Sequence, residues 1–232
     1  MIQAKNLYFK YNQEFVLNNI NLEIKEGSFT AIIGANGSGK TTLAKHFNAL
    51  LLPTKGEVII DGLNTKKDEI NARKKVGFVF QNFEDQLVHS IVEEDVAFGL
   101  ENLGLKYGYI NKIVNETLNR LKIKNLAKNN VNMLSSGQKQ LVALVGVIAM
   151  QPKYIVFDEP TTMLDVKNKK NIMEIIKKLN KNDKITVIMV TNVPDDLKYA
   201  DKVILLKDGS VIFNDWKSKL NKKILDKAGL YG

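Results

Sequence analysis

Gly34, Ala35, Asn36, Gly37, Ser38, Gly39, Lys40, Thr41 and Thr42 satisfy the spacing G-x-x-x-x-G-K-[ST] without a gap. Glycines at 34, 37 and 39 let a backbone wrap closely around a chain of phosphates, because no Cβ stands in the way. Successive N–H groups and the positive end of a following helix then face the anion. Lys40 suits the outer phosphates, and the Thr41 hydroxyl suits Mg²⁺, a hard cation that prefers oxygen. A second pair of groups, Asp158 and Glu159, follows the apolar run Tyr154-Ile155-Val156-Phe157. Asp158 can hold Mg²⁺ through a water, and Glu159 can polarise a water that attacks a γ-phosphate. Alone these carboxylates would read as an ordinary acidic turn; beside a phosphate loop they read as chemistry. Ser135, Ser136 and Gly137 precede an almost wholly apolar stretch, Lys139 to Ala149, which reads as a buried helix. Free N–H groups at that helix start favour an anion, although a plain N-cap serine explains the same letters. The chain is thus expected to bind a nucleoside triphosphate. Its two phosphate-binding helix ends suggest a shared nucleotide.

The elements that must position these groups are legible around them. Phe29 to Ile33 reads as a buried strand before the glycine loop, and Leu43 to Leu51 as a helix after it. Ile2 to Phe9 and Ile20 to Ile24 read as strands, with a turn at Asn12-Gln13-Glu14. Tyr11, just before that turn, is either a plain strand-end aromatic or an exposed ring for stacking a base. Glu57 to Gly62 reads as a strand and turn, and Val76 to Gln81 as a buried strand ending on a polar residue. From Asn82 to about Met150 strand signals vanish, and helical spacing runs through Ile110, Ile113, Val114, Thr117, Leu118 and Leu121. No linker rich in Pro, Gly or Ser bounds this region, so it reads as an insertion. Tyr154 to Phe157 and Ile185 to Val190 are continuous runs rich in β-branched residues, as expected of parallel strands covered on both faces. Ile172 to Leu179 supplies a crossover helix, and Asp208-Gly209 the turn of a final hairpin. Trp216, Leu220, Ile224 and Ala228 recur at i+4, which reads as a short docked helix or a membrane-surface one.

With 44% hydrophobic and 25% charged residues, the 232-residue chain has an ordinary globular balance. No apolar run reaches the ~18–20 residues of a membrane span, and the N-terminus shows no signal-peptide pattern. The absence of cysteine excludes disulfides and thiolate metal sites. A net charge of +9 permits an anionic partner, but the lysines are scattered and Arg occurs only at 73 and 120. No Arg–aromatic cluster of the kind that reads nucleic acid is present, and no nucleic-acid partner is expected. His46 and His89 lack a second ligand at metal spacing and read as packing or surface residues.

Over nearly its whole length the chain resembles an ATP-binding cassette (ABC) ATPase. Gly34 to Thr41 is similar to the Walker A motif and Tyr154 to Glu159 to Walker B. Gln81 stands at the Q-loop, Leu134 to Gln138 at the signature, Met163-Leu164-Asp165 at the D-loop, and Tyr11 at the base-stacking A-loop. The resemblance implies an α/β fold, a P-loop NTPase with a RecA-like core and an antiparallel β subdomain, plus an inserted helical subdomain. It assigns residues 1–81 and 152–232 to the nucleotide-binding core and 82–151 to the helical insertion. It implies ATP and Mg²⁺, with Thr41, Gln81 and Asp158 around the metal and Glu159 on the water. It also implies head-to-tail dimers. There the phosphate loop of one chain and Ser135, Ser136, Gly137 and Gln138 of the other sandwich each ATP, with Asp165 alongside. Gln81 to Gly104, Val145 to Ala149 and Thr162 to Asp165 are most similar to the ATPases of energy-coupling factor (ECF) importers of vitamins or metal ions. The ECF resemblance implies a second ATPase subunit and a transmembrane scaffold docked through its coupling helices. It also implies a separate substrate-binding membrane subunit, and a peripheral place on the cytoplasmic face of the membrane. Glu93-Glu94-Asp95 then lies near the coupling-helix groove, or is simply a solvated face.

The sequence also departs from the family pattern. Asn192 replaces the His that normally contacts the γ-phosphate; an amide can donate a hydrogen bond but cannot carry charge. Slower hydrolysis is expected at the site built on this chain's phosphate loop. Ser136 replaces the first signature glycine, and Leu141 stands where an Arg is usual. Asn192 acts on the chain's own site and Ser136 on the partner's, which favours a heterodimer. Little follows Phe213, so the dimer is expected to lean on ATP and the scaffold. The alternatives are the ATPase of another ABC transporter and a weakly hydrolysing regulatory partner. A soluble ABC protein of translation or DNA repair fits poorly, since there is one cassette and no heptad run.

Overall fold

The computed structural model describes residues 1–230 apart from Met163, and only the backbone of Lys227. Its strands form two sheets. β1 (Ile2–Tyr11) and β2 (Glu14–Ile24) make an antiparallel hairpin, which β4 (Lys55–Ile60) and β5 (Leu63–Asn64) extend in the order β2-β1-β4-β5. The second sheet contains β3 (Phe29–Ile33), β6 (Val76–Val79), β7 (Tyr154–Asp158), β8 (Thr186–Thr191), β9 (Lys202–Lys207) and β10 (Ser210–Trp216), ordered β10-β9-β3-β8-β7-β6. The pairings β9-β3, β3-β8, β8-β7 and β7-β6 are all parallel. The unbroken runs have their explanation here: every residue of β3, β6, β7 and β8 is buried. β10 closes the edge antiparallel through Asp208 (φ 46) and Gly209 (φ 73), a turn whose double positive φ matches strand twist.

One hydrophobic core lies between the antiparallel sheet and one face of the parallel sheet, around α1 (Lys40–His46). A second lies on the opposite face, under α6 (Val166–Lys181) and the C-terminal tail. α2 (Glu69–Lys75) leads into β6. A third core belongs to α3 (Val92–Asn102), α4 (Tyr107–Arg120) and α5 (Ser136–Ala149). α5 serves two cores at once. Leu144, Val147 and Ile148 pack on the sheet, while Val142, Val145 and Ala149 pack on α3 and α4. That double burial is why the stretch is apolar all round. The Met1 amine, Tyr154 and Lys153 converge on Asp61, joining the two sheets at the edge remote from the glycine loop. These hydrogen bonds outweigh partial burial and hold the Asp61 carboxyl well below the usual range.

Three expectations are corrected. The second strand begins at Glu14 rather than Ile20, because the whole hairpin pairs with β1. The first helix ends at His46 rather than Leu51; Ala49 adopts φ 57, which a right-handed helix excludes. The tail is not one helix from Trp216. That residue ends β10, a 3₁₀ turn follows, and α7 spans only Lys222–Lys227. Leu220, Ile224 and Ala228 nevertheless pack on the second core, so the docked reading of the tail holds for them.

Candidate functional site

Because the strands run parallel, their C-terminal ends lie on one edge, and four connections meet there. The glycine loop leaves β3, Gln81 follows β6, Asp158 and Glu159 end β7, and Asn192 follows β8. A cleft of about 500 Å³ opens there, lined by Lys40, Thr41, Thr42 and the glycine loop together with Gln81, Glu159, Thr162 and Asn192; Asp158 is buried behind Thr41.

Glycine is required at defined points of the loop. Gly37 and Gly39 have φ of 79 and 95, and a Cβ on Gly34 would lie 2.3 Å from the Leu206 carbonyl oxygen. α1 starts at Lys40 itself, so Lys40, Thr41 and Thr42 are its first turn. Its N-cap is Gly39, which offers no side-chain oxygen to those N–H groups. Ser38 Oγ is buried in the loop without a hydrogen-bond partner among the described residues. Lys40 Nζ donates to the Gly34 and Ala35 carbonyl oxygens at 3.0 and 2.9 Å, inside the mouth of the loop. Burial pushes its pKa down, while the negative charges of Glu159 and Asp158 push it up.

Thr41 Oγ1 donates to Asp158 Oδ1 at 2.9 Å. Burial raises the Asp158 carboxyl, the Thr41 hydrogen bond opposes this, and the neighbouring Glu159 charge raises it further. Glu159 Oε2 accepts from Gln81 Nε2 and from Thr162 Oγ1, each at 3.1 Å. Asn192 Nδ2 donates to Asn36 Oδ1 at 3.3 Å across the mouth. A hydroxyl, a carboxylate and an amide oxygen are too few to cage a cation alone, and no group of three or more His, Asp or Glu placed to hold a metal ion exists among the described residues. That donor set suits Mg²⁺, which keeps waters and takes the rest of its shell from substrate phosphates. The uncapped first turn and the Cβ-free cradle suit the phosphates themselves.

Other expected residues lie apart. Ser135 accepts from the Gln138 N–H, and Gln138 Oε1 accepts from the Ser135 N–H at 2.9 Å. The plain N-cap reading is therefore realised as a reciprocal capping box. Ser136 beside it is exposed, and Gly137 is buried where a Cβ would lie 2.8 Å from the Asn168 side chain. None of Ser135 to Gln138 lines the cleft. Asp165 caps α6 through the Asn168 N–H at 2.9 Å, which lowers its carboxyl pKa; Met163 lies outside the described residues. Tyr11 is 47% exposed, edge-on to Phe9, and does not line the cleft. His46 is wholly buried with Nδ1 at 2.7 Å from the Thr42 carbonyl oxygen, and His89 sits edge-on to Phe98. Leu141, the third departure, packs half-buried between the second and third cores.

Thr162 and Val16 are cleft residues that sequence reasoning missed. Thr162 follows Glu159 at the i+3 spacing of a turn, which could have signalled it; Val16 carries no chemical signal. Glu93, Glu94 and Asp95 divide their roles rather than forming one acidic face. Glu93 pairs with Lys128, Glu94 is exposed, and Asp95 is buried with Oδ1 accepting the Val88 and His89 N–H groups.

Residues 17–162 match the ABC transporter family. The chain is 46% identical to an energy-coupling factor transporter ATP-binding protein, EcfA1, of Caldanaerobacter subterraneus subsp. tengcongensis, over 99% of this chain and 86% of that protein. It is 43% identical to EcfA1 of Clostridioides difficile, over 97% and 83% respectively. Among solved structures it is similar to cbiO1 from Clostridium perfringens, described as part of the ABC transporter complex cbiONQ. There the TM-score is 0.85 and the identity 35%, covering 99% of this chain and 94% of that one. The ATP-binding cassette MJ0796, a dimer bound to ADP and Pi, superposes with a TM-score of 0.82 at 35% identity, over 93% of this chain and 98% of that one. With a family match over residues 17–162 and 43–46% identity along nearly its whole length, the chain belongs to the ABC transporter family, among its energy-coupling factor ATP-binding proteins.

Proposed function

We propose that this chain is the ATP-binding, ATP-hydrolysing subunit that energises an importer of the energy-coupling factor type for vitamins or metal ions. The observation that carries the reading is the convergence of Lys40, Thr41, Gln81 and Glu159 on one cleft from three separate strand ends, with Asp158 bonded to Thr41 beneath it. The N–H groups of Gly37 to Thr42 take the phosphates, and Lys40 moves from the loop carbonyls to the outer phosphate oxygens. Thr41, Asp158 and Gln81 would hold Mg²⁺, which when bound neutralises charge on the phosphates. Glu159, oriented by Gln81 and Thr162, aligns the attacking water and takes its proton. Tyr11 swings from Phe9 to stack the base.

Residues 1–81 and 152–232 act as the nucleotide-binding core and 82–151 as the helical insertion. Exposed Ser136, with the first-turn N–H groups of α5, meets the ATP held by a second ATPase subunit. A mostly apolar groove of about 450 Å³, walled by Ile70, Phe80, Phe98, Leu103, Val147 and Met150, receives a coupling helix of the transmembrane scaffold. No helix among the described residues is long and apolar enough to cross a membrane; the likeness to energy-coupling factor ATPases supports a peripheral place on the cytoplasmic face.

Asn192 supports a second reading, an asymmetric ATPase pair in which this chain hydrolyses slowly. Its amide reaches Asn36, so it is placed to touch a γ-phosphate but cannot bring a positive charge. The deciding measurement is Mg²⁺-dependent ATP turnover by the chain, alone and with its membrane partners, for wild type and Asn192→His. A gain of about tenfold or more with His is expected for a heterodimer with one slowed site. Equal rates would mean that the amide suffices and that a homodimer serves equally well.

A further inference from the structure

Beyond its first turn, α5 carries apolar residues at every position except Gln140, which is 3% exposed. Gln140 Nε2 donates a hydrogen bond to the Pro160 carbonyl oxygen, and Oε1 has no partner among the described residues. Flipping the amide would turn Oε1 onto another oxygen, so the observed orientation is the one that the contact dictates. A helix that needed only to pack here would be better served by methionine or leucine, because a buried polar atom without a partner costs free energy.

The acceptor explains what the amide does. Pro160 directly follows Glu159, which sits at φ 46, a left-handed conformation unusual for a side chain of this kind. Such a turn persists only when its surroundings over-determine it. Within the sheet lobe it is tied by Glu159 N–H to Val190 O at 3.0 Å and by Thr162 N–H to Glu159 O at 3.2 Å. Pro160 has no N–H to add a tie of its own. Gln140 adds a tie at the Pro160 carbonyl, and it comes from the helix that also packs on α3 and α4.

We propose that Gln140 is a positioning residue for Glu159, by which the first turn of α5 and the catalytic turn of the same chain move as one. Ser136 and Gln140 stand at i and i+4 on one face of α5, about 6 Å apart along the axis. A helix this well packed transmits a displacement of its N-terminal turn to Gln140 as a rigid body. Docking of a partner's ATP against Ser136 is thereby felt at the Pro160 carbonyl and at the aim of Glu159 in the chain's own cleft. This rests on the reading above that Glu159 aligns the hydrolytic water.

The test uses the chain assembled with its partner ATPase and membrane subunits, the partner's own hydrolysing carboxylate being removed. Turnover then reports the site on this chain. Gln140→Met keeps the volume and removes the donor; Gln140→Asn keeps the amide and shortens the arm. Both are expected to lower kcat about 10- to 100-fold, the cost of misplacing a reacting group by roughly an ångström. KM for ATP stays within error of wild type in both, and in Gln140→Met, which keeps the volume and removes the unpartnered oxygen, the kcat loss is not accompanied by a matching loss of thermal midpoint. An unchanged kcat in either variant overturns the proposal. So does a fall in kcat that tracks a matching fall in thermal midpoint or ATP affinity, since that is what a purely structural contact would give. If the wild-type assembly itself fails to hydrolyse ATP, the functional reading falls and this one with it. Wild-type turnover with unaffected variants sinks the Gln140 proposal alone.

Discussion

Glu159 takes its place from its neighbours rather than from its strand. β7 ends at Asp158, the chain turns into the left-handed region, and the carboxylate is then held by Gln81 and Thr162. Glu159→Gln keeps the shape and the Gln81 contact geometry but cannot accept the proton of the attacking water. It is expected to lower ATP turnover by about 10²- to 10⁴-fold while leaving ATP binding intact, as measured by phosphate release and by equilibrium nucleotide titration. Asp158, also a carboxylate, has a different proposed task. It is buried and bonded to Thr41, so its substitution should weaken the Mg²⁺ dependence of ATP binding rather than the chemical step alone. The side chains of this site are fixed mainly by one another, which is why apolar patterning says so little about them.

At the scale of elements, α1 carries the turn proposed to bind phosphate at one end and His46 at the other. His46 is fully buried beside Phe9, and burial pushes its pKa down to about 4 against the favourable contacts with the Thr42 and Leu52 backbone. In the unfolded chain the same ring titrates near its ordinary value of 6.5. Between those values the unfolded state binds a proton that the folded state does not. Stability therefore falls as pH drops from about 6.5 towards 4 and is insensitive to this group above about 7. The expected loss from His46 is roughly 2–3 kcal/mol between pH 7.5 and 4.5. Urea unfolding of wild type against His46→Leu checks it: the variant's stability should vary less over that interval by about this amount. Equal pH dependence would mean that His46 titrates normally in the folded protein.

At the scale of the whole molecule, the faces that the cleft leaves open are as informative as the cleft. Met133, just before the capped start of α5, is 84% exposed, and Val166, just after Asp165, is 87% exposed. Both flank motifs proposed to meet a second ATPase subunit. Fully burying a valine is worth about 1.5–3 kcal/mol. Val166→Asp in a Glu159→Gln background, where ATP is not consumed, is accordingly expected to weaken ATP-dependent subunit pairing about tenfold or more. Analytical ultracentrifugation with ATP measures it, with ATP affinity of the isolated chain as the control. Unaltered pairing would move the interface away from Asp165.

The sequence by itself determined the chemistry and the order of its parts. Spacing fixed the glycine loop, because only glycine tolerates φ near 79 and 95 at 37 and 39 and a backbone oxygen 2.3 Å from any Cβ at 34. The largely apolar and β-branched runs of β3, β7 and β8 announced a parallel sheet, since a strand covered on both faces has no alternating polar side to show. Local patterns also misled where the tertiary structure overruled them. The i+4 tail is broken by a 3₁₀ turn, and the first helix stops a turn early. What only the tertiary structure decided were contacts between residues far apart in sequence: Thr41 with Asp158, Gln81 with Glu159, Asn192 with Asn36, and Gln140 with the peptide after Glu159. No local pattern encodes such pairs. A parallel sheet brings its strand ends to a common edge only once every crossover has packed, and the identity of the neighbours across that edge is set by strand order, not by position along the chain.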